Sequence, residues 1–194
     1  MTKQVSLTSQ AHHFIQQVLS LGDIAIDATV GNGYDTLFLA QQVGKHGKVF
    51  GFDIQKQAIE ATHAKLESEY NTTNLTLIHD SHSNMSEHIP IQFHKKIKAI
   101  SFNLGYLPGS DKSVITHAKS TLTAVNQSID ILADTGIMTI VAYPGHIGGN
   151  IETKEIEQWV KQLLLSKYSI QIINGSEKAT SPKLFIIKKL PEKT

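Results

Sequence analysis

The stretch AIDATVGNGYDTLFLA, residues 25–40, combines three features in a fixed order. A short apolar run ends at a carboxylate, Asp27, and two glycines follow at Gly31 and Gly33 before a helical pattern of apolar residues begins. Glycine permits backbone conformations and close approaches that a side chain would block. The stretch therefore predicts a strand, a ligand-binding turn and a helix, the first unit of an α/β fold.

Short apolar segments alternate with helical patterns along the chain, which predicts a parallel sheet built from right-handed β-α-β units. A first helix is predicted at residues 9–21, capped by Ser9 and ended by Gly22. The clearest later helices are predicted at residues 113–133 and 152–166. Five parallel strands are predicted at residues 24–28, 48–52, 75–79, 98–102 and 137–142.

The C-terminal part has a different pattern. Residues 168–174 and 184–190 are predicted strands, and the polar loop between them leaves no room for a helix. They should therefore pair antiparallel and close a sheet of seven strands. We expect a single domain over residues 1–194, with the helix in residues 1–22 packed on it.

Composition excludes several classes of chemistry. The 194 residues contain no cysteine, which excludes disulfides, zinc–cysteine sites and thiol nucleophiles. No signal-peptide pattern or bilayer-length apolar run is present, so we expect a cytoplasmic protein without a membrane segment. The net charge is +1, and this even balance does not by itself indicate a nucleic-acid-binding surface.

Carboxylates at two strand ends indicate the type of ligand. Asp53 lies twenty residues after Gly33, where a carboxylate can accept hydrogen bonds from ribose hydroxyls, although it could also cap the next helix. Asp27 would repel a pyrophosphate and attract a cation, and Thr36 stands where a dinucleotide-binding motif has its third glycine. S-adenosylmethionine, which is cationic and lacks phosphate, fits this pattern better than NAD.

The segment from Asp27 to Gly33 resembles the first motif of class I S-adenosylmethionine-dependent methyltransferases, with Thr29 in place of the first glycine. The resemblance implies a Rossmann-like fold, with a mostly parallel seven-stranded sheet, an antiparallel C-terminal hairpin and helices on both faces. It implies S-adenosylmethionine as the cofactor. The cofactor-binding residues expected on this basis are Asp27, Gly31, Asn32, Gly33, Asp35, Thr36, Asp53, Gln55, Ser81 and His82. Ser81 follows the third strand, where an ordinary turn is the alternative interpretation.

A narrower resemblance covers nearly the whole chain. The segments DATVGNGYDTLFLA, FNLGYLPGSDKS and VAYPGH are similar to the YtqB-like family of rRNA methylases. Its MnmM-type members are understood to methylate the amine of 5-aminomethyl-2-thiouridine at the wobble position of tRNA. This resemblance implies a tRNA anticodon loop as the partner and a homodimer.

The segment SFNLGYLPG, residues 101–109, resembles the Asn-Pro-Pro-Tyr-type loop of amino methyltransferases without its prolines. Asn103 is expected to orient the acceptor amine, Tyr106 to stack on the base, and His146 to accept a proton. A capped loop with a core aromatic, and a surface histidine, are the alternatives. The residues expected to contact the substrate are Gly105, Leu107, Pro108, Lys112 and Tyr143. No metal is expected, because the histidines lack a ligand spacing and methyl transfer needs none.

The sequence motifs are also compatible with other functions. The chain could methylate rRNA, protein or a small molecule, because the motifs do not identify the acceptor. An NAD(P)-dependent oxidoreductase is disfavoured by Thr36 and Asp27. A non-catalytic nucleotide-binding module would leave the Asn103 segment without a purpose.

Overall fold

The computed structural model describes residues 5–69, 74–105 and 115–192. Helices and strands alternate through most of these ranges. In chain order they are α1 (Leu7–Gln16), β1 (Ile24–Asp27), α2 (Tyr34–Val43), β2 (Lys48–Asp53), α3 (Lys56–Glu69), β3 (Leu75–His79), α4 (Met85–His88), β4 (Ile97–Asn103), α5 (Ala118–Ile131), β5 (Leu132–Ala142), α6 (Gly149–Gln162), β6 (Tyr168–Asn174) and β7 (Lys183–Lys189).

Within the described residues, seven strands form one sheet in the order β3-β2-β1-β4-β5-β7-β6. The first five strands of the chain pair in parallel, and β7 lies antiparallel between β5 and β6. The expected parallel sheet with an antiparallel C-terminal hairpin is confirmed. Because the strand order reverses beside β1, the carboxyl ends of β1 and β4 diverge and open a crevice at that edge of the sheet.

Helices cover both faces of the sheet, since adjacent strand residues point to opposite sides. On one face, α1 and α2 pack over Ala25 and Ala99, and on the other, α5 and α6 pack over Ile26 and Ile100. All four of these strand residues are fully buried. Burying a large apolar side chain stabilises the fold by about 1.5–3 kcal/mol, so the sheet is a rigid support for its loops.

Two helices begin earlier than the periodicity predicted. Helix α1 starts at Leu7 because the Ser6 hydroxyl accepts a hydrogen bond from the Ser9 backbone N–H at 3.1 Å, so Ser6 rather than Ser9 is the cap. Helix α6 starts at Gly149, after Gly148 in a left-handed conformation, and ends at Gln162 before an extended Leu163. Both predicted C-terminal ends were too far along the chain.

Strand β5 begins at Leu132, five residues earlier than predicted, directly after α5. Its pairing with β4 shifts register, since Ile97 pairs with Leu132 and Ala99 with Ile137. Thr135 inside this irregularity has a positive φ of 62°. In sequence, the polar segment Asp134 to Gly136 is typical of a turn. The strand was therefore predicted to begin after this segment and not at Leu132.

None of the helices in the described ranges combines the length and apolar character that crossing a lipid bilayer requires.

Candidate active site

A cleft of about 1040 Å³ lies at the carboxyl ends of the parallel strands. Its volume is just above the range of roughly 300–1,000 Å³ that is common for small-molecule sites. Eleven of the residues predicted from the sequence line it: Gly31, Asn32, Asp35, Asp53, Gln55, Ser81, His82, Asn103, Gly105, Tyr143 and His146. The fold therefore brings the predicted cofactor loop and the Asn103 segment to one site.

Asp27, Gly33 and Thr36 do not line the cleft. Gly33 is part of the glycine turn, and Asp27 and Thr36 are buried next to it. Asp27 is fully buried, and its carboxyl group accepts hydrogen bonds from the Thr36 hydroxyl at 2.6 Å and the Thr29 backbone N–H at 3.0 Å. The expectation that Asp27 faces a cationic ligand directly is not met by this geometry. Asp27 instead holds the start of the turn against α2.

Burial, together with repulsion from Asp35, raises the pKa of Asp27 from 3.8 to about 7. A carboxyl group with a raised pKa in the folded state stabilises the fold most at low pH, and this contribution is lost as pH rises. We expect the pH dependence of the free energy of unfolding between about pH 4 and pH 7 to become flatter in Asp27→Asn. Urea denaturation of both proteins at pH 4.5 and 7.5 measures the difference. Equal slopes in the two proteins would show that Asp27 does not hold a proton in this range.

The turn itself depends on glycine at two positions. Gly31 and Gly33 have φ values of 50° and 75°, a region that L side chains rarely adopt. A Cβ atom at Gly33 would lie 2.7 Å from the Thr62 side chain, which is fully buried. The predicted glycine bend is therefore present, and Gly33 is required for both its backbone conformation and its lack of a side chain.

We expect Gly33→Ala to lower the free energy of unfolding by about 2–4 kcal/mol, because left-handed strain of about 1–2 kcal/mol is combined with overpacking. Gly22→Ala is the matched control. Gly22 also has a positive φ, of 90°, but a Cβ atom there would meet no described residue within 4 Å, so only the strain should be added. Urea denaturation of both variants checks this, and equal losses would remove the role assigned to Thr62.

Asp53, the last residue of β2, holds the glycine turn through a backbone hydrogen bond. Its Oδ2 accepts a hydrogen bond from the Gly31 N–H at 2.8 Å, and its Oδ1 accepts one from the Gln55 N–H at 2.8 Å. Each carboxylate oxygen can accept a second hydrogen bond, and Asp53 is part of the cleft wall. Asp53 thus combines the turn-capping role with an acceptor surface for a ligand's hydroxyl groups.

His82 presents a single ring nitrogen as an acceptor. Its Nδ1 lies 3.1 Å from the Ala28 carbonyl oxygen, which can only accept, so the proton is on Nδ1. The side chain is buried, with 8% exposure, and Nε2 has no hydrogen-bond partner among the described residues. Burial also lowers the pKa of His82, which keeps the ring neutral. His82 thus lines the cleft with a neutral ring, and its Nε2 lone pair is itself buried.

Ser81 also has the turn role that was its alternative interpretation. Its hydroxyl accepts a hydrogen bond from the Ser83 N–H at 3.2 Å, and its own N–H donates to Asp80 at 2.7 Å. Asp80 is held by His88, whose hydrogen bond lowers the pKa of that carboxyl group. The turn places Ser81 and His82 on the cleft wall.

Asn103, the last residue of β4, is joined to both neighbouring elements. Its backbone N–H donates to the Thr29 hydroxyl at 2.7 Å, and its side-chain Nδ2 donates to Asp35 at 3.4 Å. The contact with Thr29 was not foreseen. The sequence feature that could have indicated this contact is Thr29, which places a hydroxyl group where the motif has its first glycine.

Gly105, two residues after Asn103, is linked through Thr116 to a buried carboxylate that was not predicted from the sequence. Glu152 on α6 accepts hydrogen bonds from the hydroxyls of Thr116 and Thr121 at 2.8 and 2.6 Å. Thr116 in turn accepts a hydrogen bond from the Gly105 N–H at 2.9 Å. The connection is distant in sequence, so no local pattern indicated it.

His146 lies beside Gly105 at the rim of the cleft. A Cβ atom at Gly105 would lie 3.5 Å from His146 Nε2, and His146 Nδ1 is 2.9 Å from the Ile147 carbonyl oxygen. Tyr143 borders the same corner. The predicted residues Tyr106, Leu107, Pro108 and Lys112 lie outside the described residues.

Comparison with known proteins places this architecture in a family. A model of the family described as "Putative rRNA methylase" matches residues 49–189. A chloroplastic tRNA (mnm(5)s(2)U34)-methyltransferase of Arabidopsis thaliana is 38% identical over 169 residues, which are 83% of this chain and 61% of that protein. The chain thus spans about three fifths of the length of this curated relative.

Two solved structures match almost all of the chain. A Clostridium thermocellum protein described as an rRNA methylase has a TM-score of 0.91 at 37% identity, covering 97% of this chain and 100% of its own. A Streptococcus mutans protein described as a methyltransferase, in complex with SAH, has a TM-score of 0.85 at 36% identity and the same coverage.

The sheet order and these matches define the fold as that of the class I S-adenosylmethionine-dependent methyltransferases. More narrowly, this chain belongs to the rRNA methylase family, which confirms the resemblance seen in its sequence.

Proposed function

We propose that this protein is an S-adenosylmethionine-dependent tRNA methyltransferase that modifies the amine of 5-aminomethyl-2-thiouridine at the wobble position. The product is 5-methylaminomethyl-2-thiouridine. The observation that carries the proposal is the convergence of the glycine turn, Asp53 and Asn103 on one cleft, in a chain 38% identical to a tRNA (mnm(5)s(2)U34)-methyltransferase.

The residues of the cleft fit this cofactor. Asp53 in the cleft wall offers acceptor oxygens for ribose hydroxyls. Among the described residues, the cleft wall contains two aspartates and no lysine, which suits a cationic ligand better than the pyrophosphate of NAD. The presence of SAH in the Streptococcus mutans relative supports the same assignment.

When bound, S-adenosylmethionine would supply a methyl group carried on a cationic sulfur. The lone pair of the amine would form the new N–C bond, and the sulfur would keep the electron pair of the C–S bond that breaks. Asn103 at the end of β4 would accept a hydrogen bond from the acceptor amine and direct its lone pair along the line of displacement. His146, across the rim at Gly105, would take the proton that the amine loses.

The rim of the cleft offers features suited to an unpaired base in an anticodon loop. Tyr34 is 68% exposed there, and Lys65 Nζ lies 3.6 Å from the centre of its ring. Aromatic rings stack on unpaired bases, and lysines contact phosphates. Tyr106, Leu107, Pro108 and Lys112 are proposed to complete the substrate contacts with Gly105 and Tyr143. We further propose a metal-free cytoplasmic enzyme acting as a homodimer.

Two measurements test this function. Isothermal titration should give a Kd for S-adenosylmethionine at least about tenfold lower than for NAD, and the reverse order would contradict the cofactor assignment. Mass spectrometry of nucleosides from cells lacking the gene should show 5-aminomethyl-2-thiouridine in tRNA in place of its methylated form. Unchanged tRNA together with a lost rRNA methylation would favour the rRNA alternative.

A further inference from the structure

The side chain of Asn103 is the end of a short hydrogen-bonded chain that starts on α1. Asn103 Nδ2 donates to Asp35 Oδ2 at 3.4 Å. The other oxygen of Asp35, Oδ1, lies 2.6 Å from Nε2 of His12. His12 does not line the cleft, so its connection to the site runs through Asp35.

We infer that Asp35, clamped by His12, is a positioning residue that fixes the orientation of the Asn103 amide toward the acceptor amine. The inference deepens the proposed function and depends on it. A carboxylate only accepts hydrogen bonds, so it selects the NH₂ side of the amide. The amide oxygen Oδ1 of Asn103 is then directed away from Asp35 and is available to the N–H of the amine.

Without this selection the amide has no fixed orientation. Rotation of the asparagine side chain by half a turn exchanges its oxygen and nitrogen with little change in shape. The exchanged amide would present N–H donors to the amine, compete for its lone pair and oppose attack on the methyl group. Asp35 therefore acts on the reaction through Asn103.

His12 is itself rigidly placed. Its ring stacks on Phe38 with centroids 3.8 Å apart and planes 5° from parallel. Leu7, Ala11 and Ile15 of α1 are buried against the sheet, which fixes the helix that carries it. The Asp35 side chain on α2 is nearly buried, and its contact with His12 restricts how the carboxylate can turn. Helix α1 thereby contributes to the site through His12, a residue that does not itself line the cleft.

The inference separates Asp35 from the cofactor-binding role expected from the sequence. A cofactor ligand would lose affinity for S-adenosylmethionine when replaced. A positioning residue should lose rate, and its loss should disappear once Asn103 is absent, because residues that act as one unit are not additive.

The test uses single-turnover methylation of tRNA bearing the amine, with calorimetric Kd values for S-adenosylmethionine. We expect His12→Ala and Asp35→Ala to slow transfer by about 10–100-fold, because a misplaced reacting group can cost up to about 100-fold in rate, with Kd changed less than about threefold. His12→Gln places an N–H at the same distance along the side chain and should recover most of the rate. His13→Ala is the control, because His13 is on the same helix but is exposed and bonded to Gln17.

The double variant Asp35→Ala with Asn103→Ala should be within about twofold of Asn103→Ala alone. Multiplied losses, or a Kd increase equal to the rate loss in Asp35→Ala, would overturn the inference.

A second measurement does not need the substrate. The NMR signals of the Asn103 side-chain amide, assigned as the pair missing in Asn103→Ala, should exchange with solvent faster in His12→Ala than in wild type or His13→Ala. Unchanged exchange would refute the positioning role even if the protein methylated another acceptor. Changed exchange without methylation of the amine would instead refute the proposed function.

Discussion

Replacing Asn103 by alanine is expected to slow methyl transfer by about 100-fold while leaving the Kd for S-adenosylmethionine within about threefold of wild type. The side chain is assigned to the acceptor amine, and misdirecting a reacting group costs roughly this factor. Its backbone hydrogen bond to the Thr29 hydroxyl is retained in alanine, so the cofactor loop should keep its position.

Single-turnover kinetics alongside calorimetry measures the two quantities separately. Asn174→Ala is a suitable control, because Asn174 is an exposed asparagine at the end of β6 and is not part of the cleft wall. Equal losses of rate and affinity in Asn103→Ala would instead identify Asn103 as a cofactor or folding residue.

Asp53→Ala should have the largest effect on cofactor affinity. Loss of charge-assisted hydrogen bonds to ribose hydroxyls costs about 2–3 kcal/mol, which corresponds to an increase in Kd of about 30–150-fold. The structure adds a second cause, since Asp53 also holds the N–H groups of Gly31 and Gln55. Releasing the glycine turn should therefore weaken binding further.

Asp53→Asn should give an intermediate Kd for S-adenosylmethionine, because its amide retains one of the two acceptor oxygens. Asp130→Ala on the exposed side of α5 is the control for loss of a carboxylate. Calorimetric Kd values for S-adenosylmethionine, measured for the three variants, test the assignment of Asp53 to the ribose. An unchanged Kd in Asp53→Ala would remove the ribose assignment.

Much of the fold could be predicted because its strands carry strong local patterns. Strands β3 and β6 have the predicted bounds, and the antiparallel hairpin followed from the missing helix before β7. The start of β5 could not be predicted, because Asp134 to Gly136 form an irregularity between Leu132 and Ile137, which both pair with β4. The cap of α1 was misplaced because Ser6 and Ser9 are both competent capping residues.

The site residues that could be predicted from the sequence are those at or just after the ends of parallel strands. Asp53, His82 and Asn103 each follow or end a parallel strand, and such positions converge at one edge of the sheet. Asp27 has the same strand-end position, but burial and the Thr36 hydroxyl turned its side chain beneath the loop. The His12 contact with Asp35 and the Glu152 contact with Thr116 depend on packing between distant helices, which no spacing in the chain reveals.

The most direct test of the central claim is methylation by the purified protein of two tRNAs that differ only in the wobble-position amine. The amine supplies the lone pair that attacks the methyl group, and the uridine lacking it offers no comparable nucleophile at that position. With labelled S-adenosylmethionine, we predict label on the tRNA bearing 5-aminomethyl-2-thiouridine and none on the other. Equal labelling of the two tRNAs, or labelling of ribosomal RNA alone, would contradict the account.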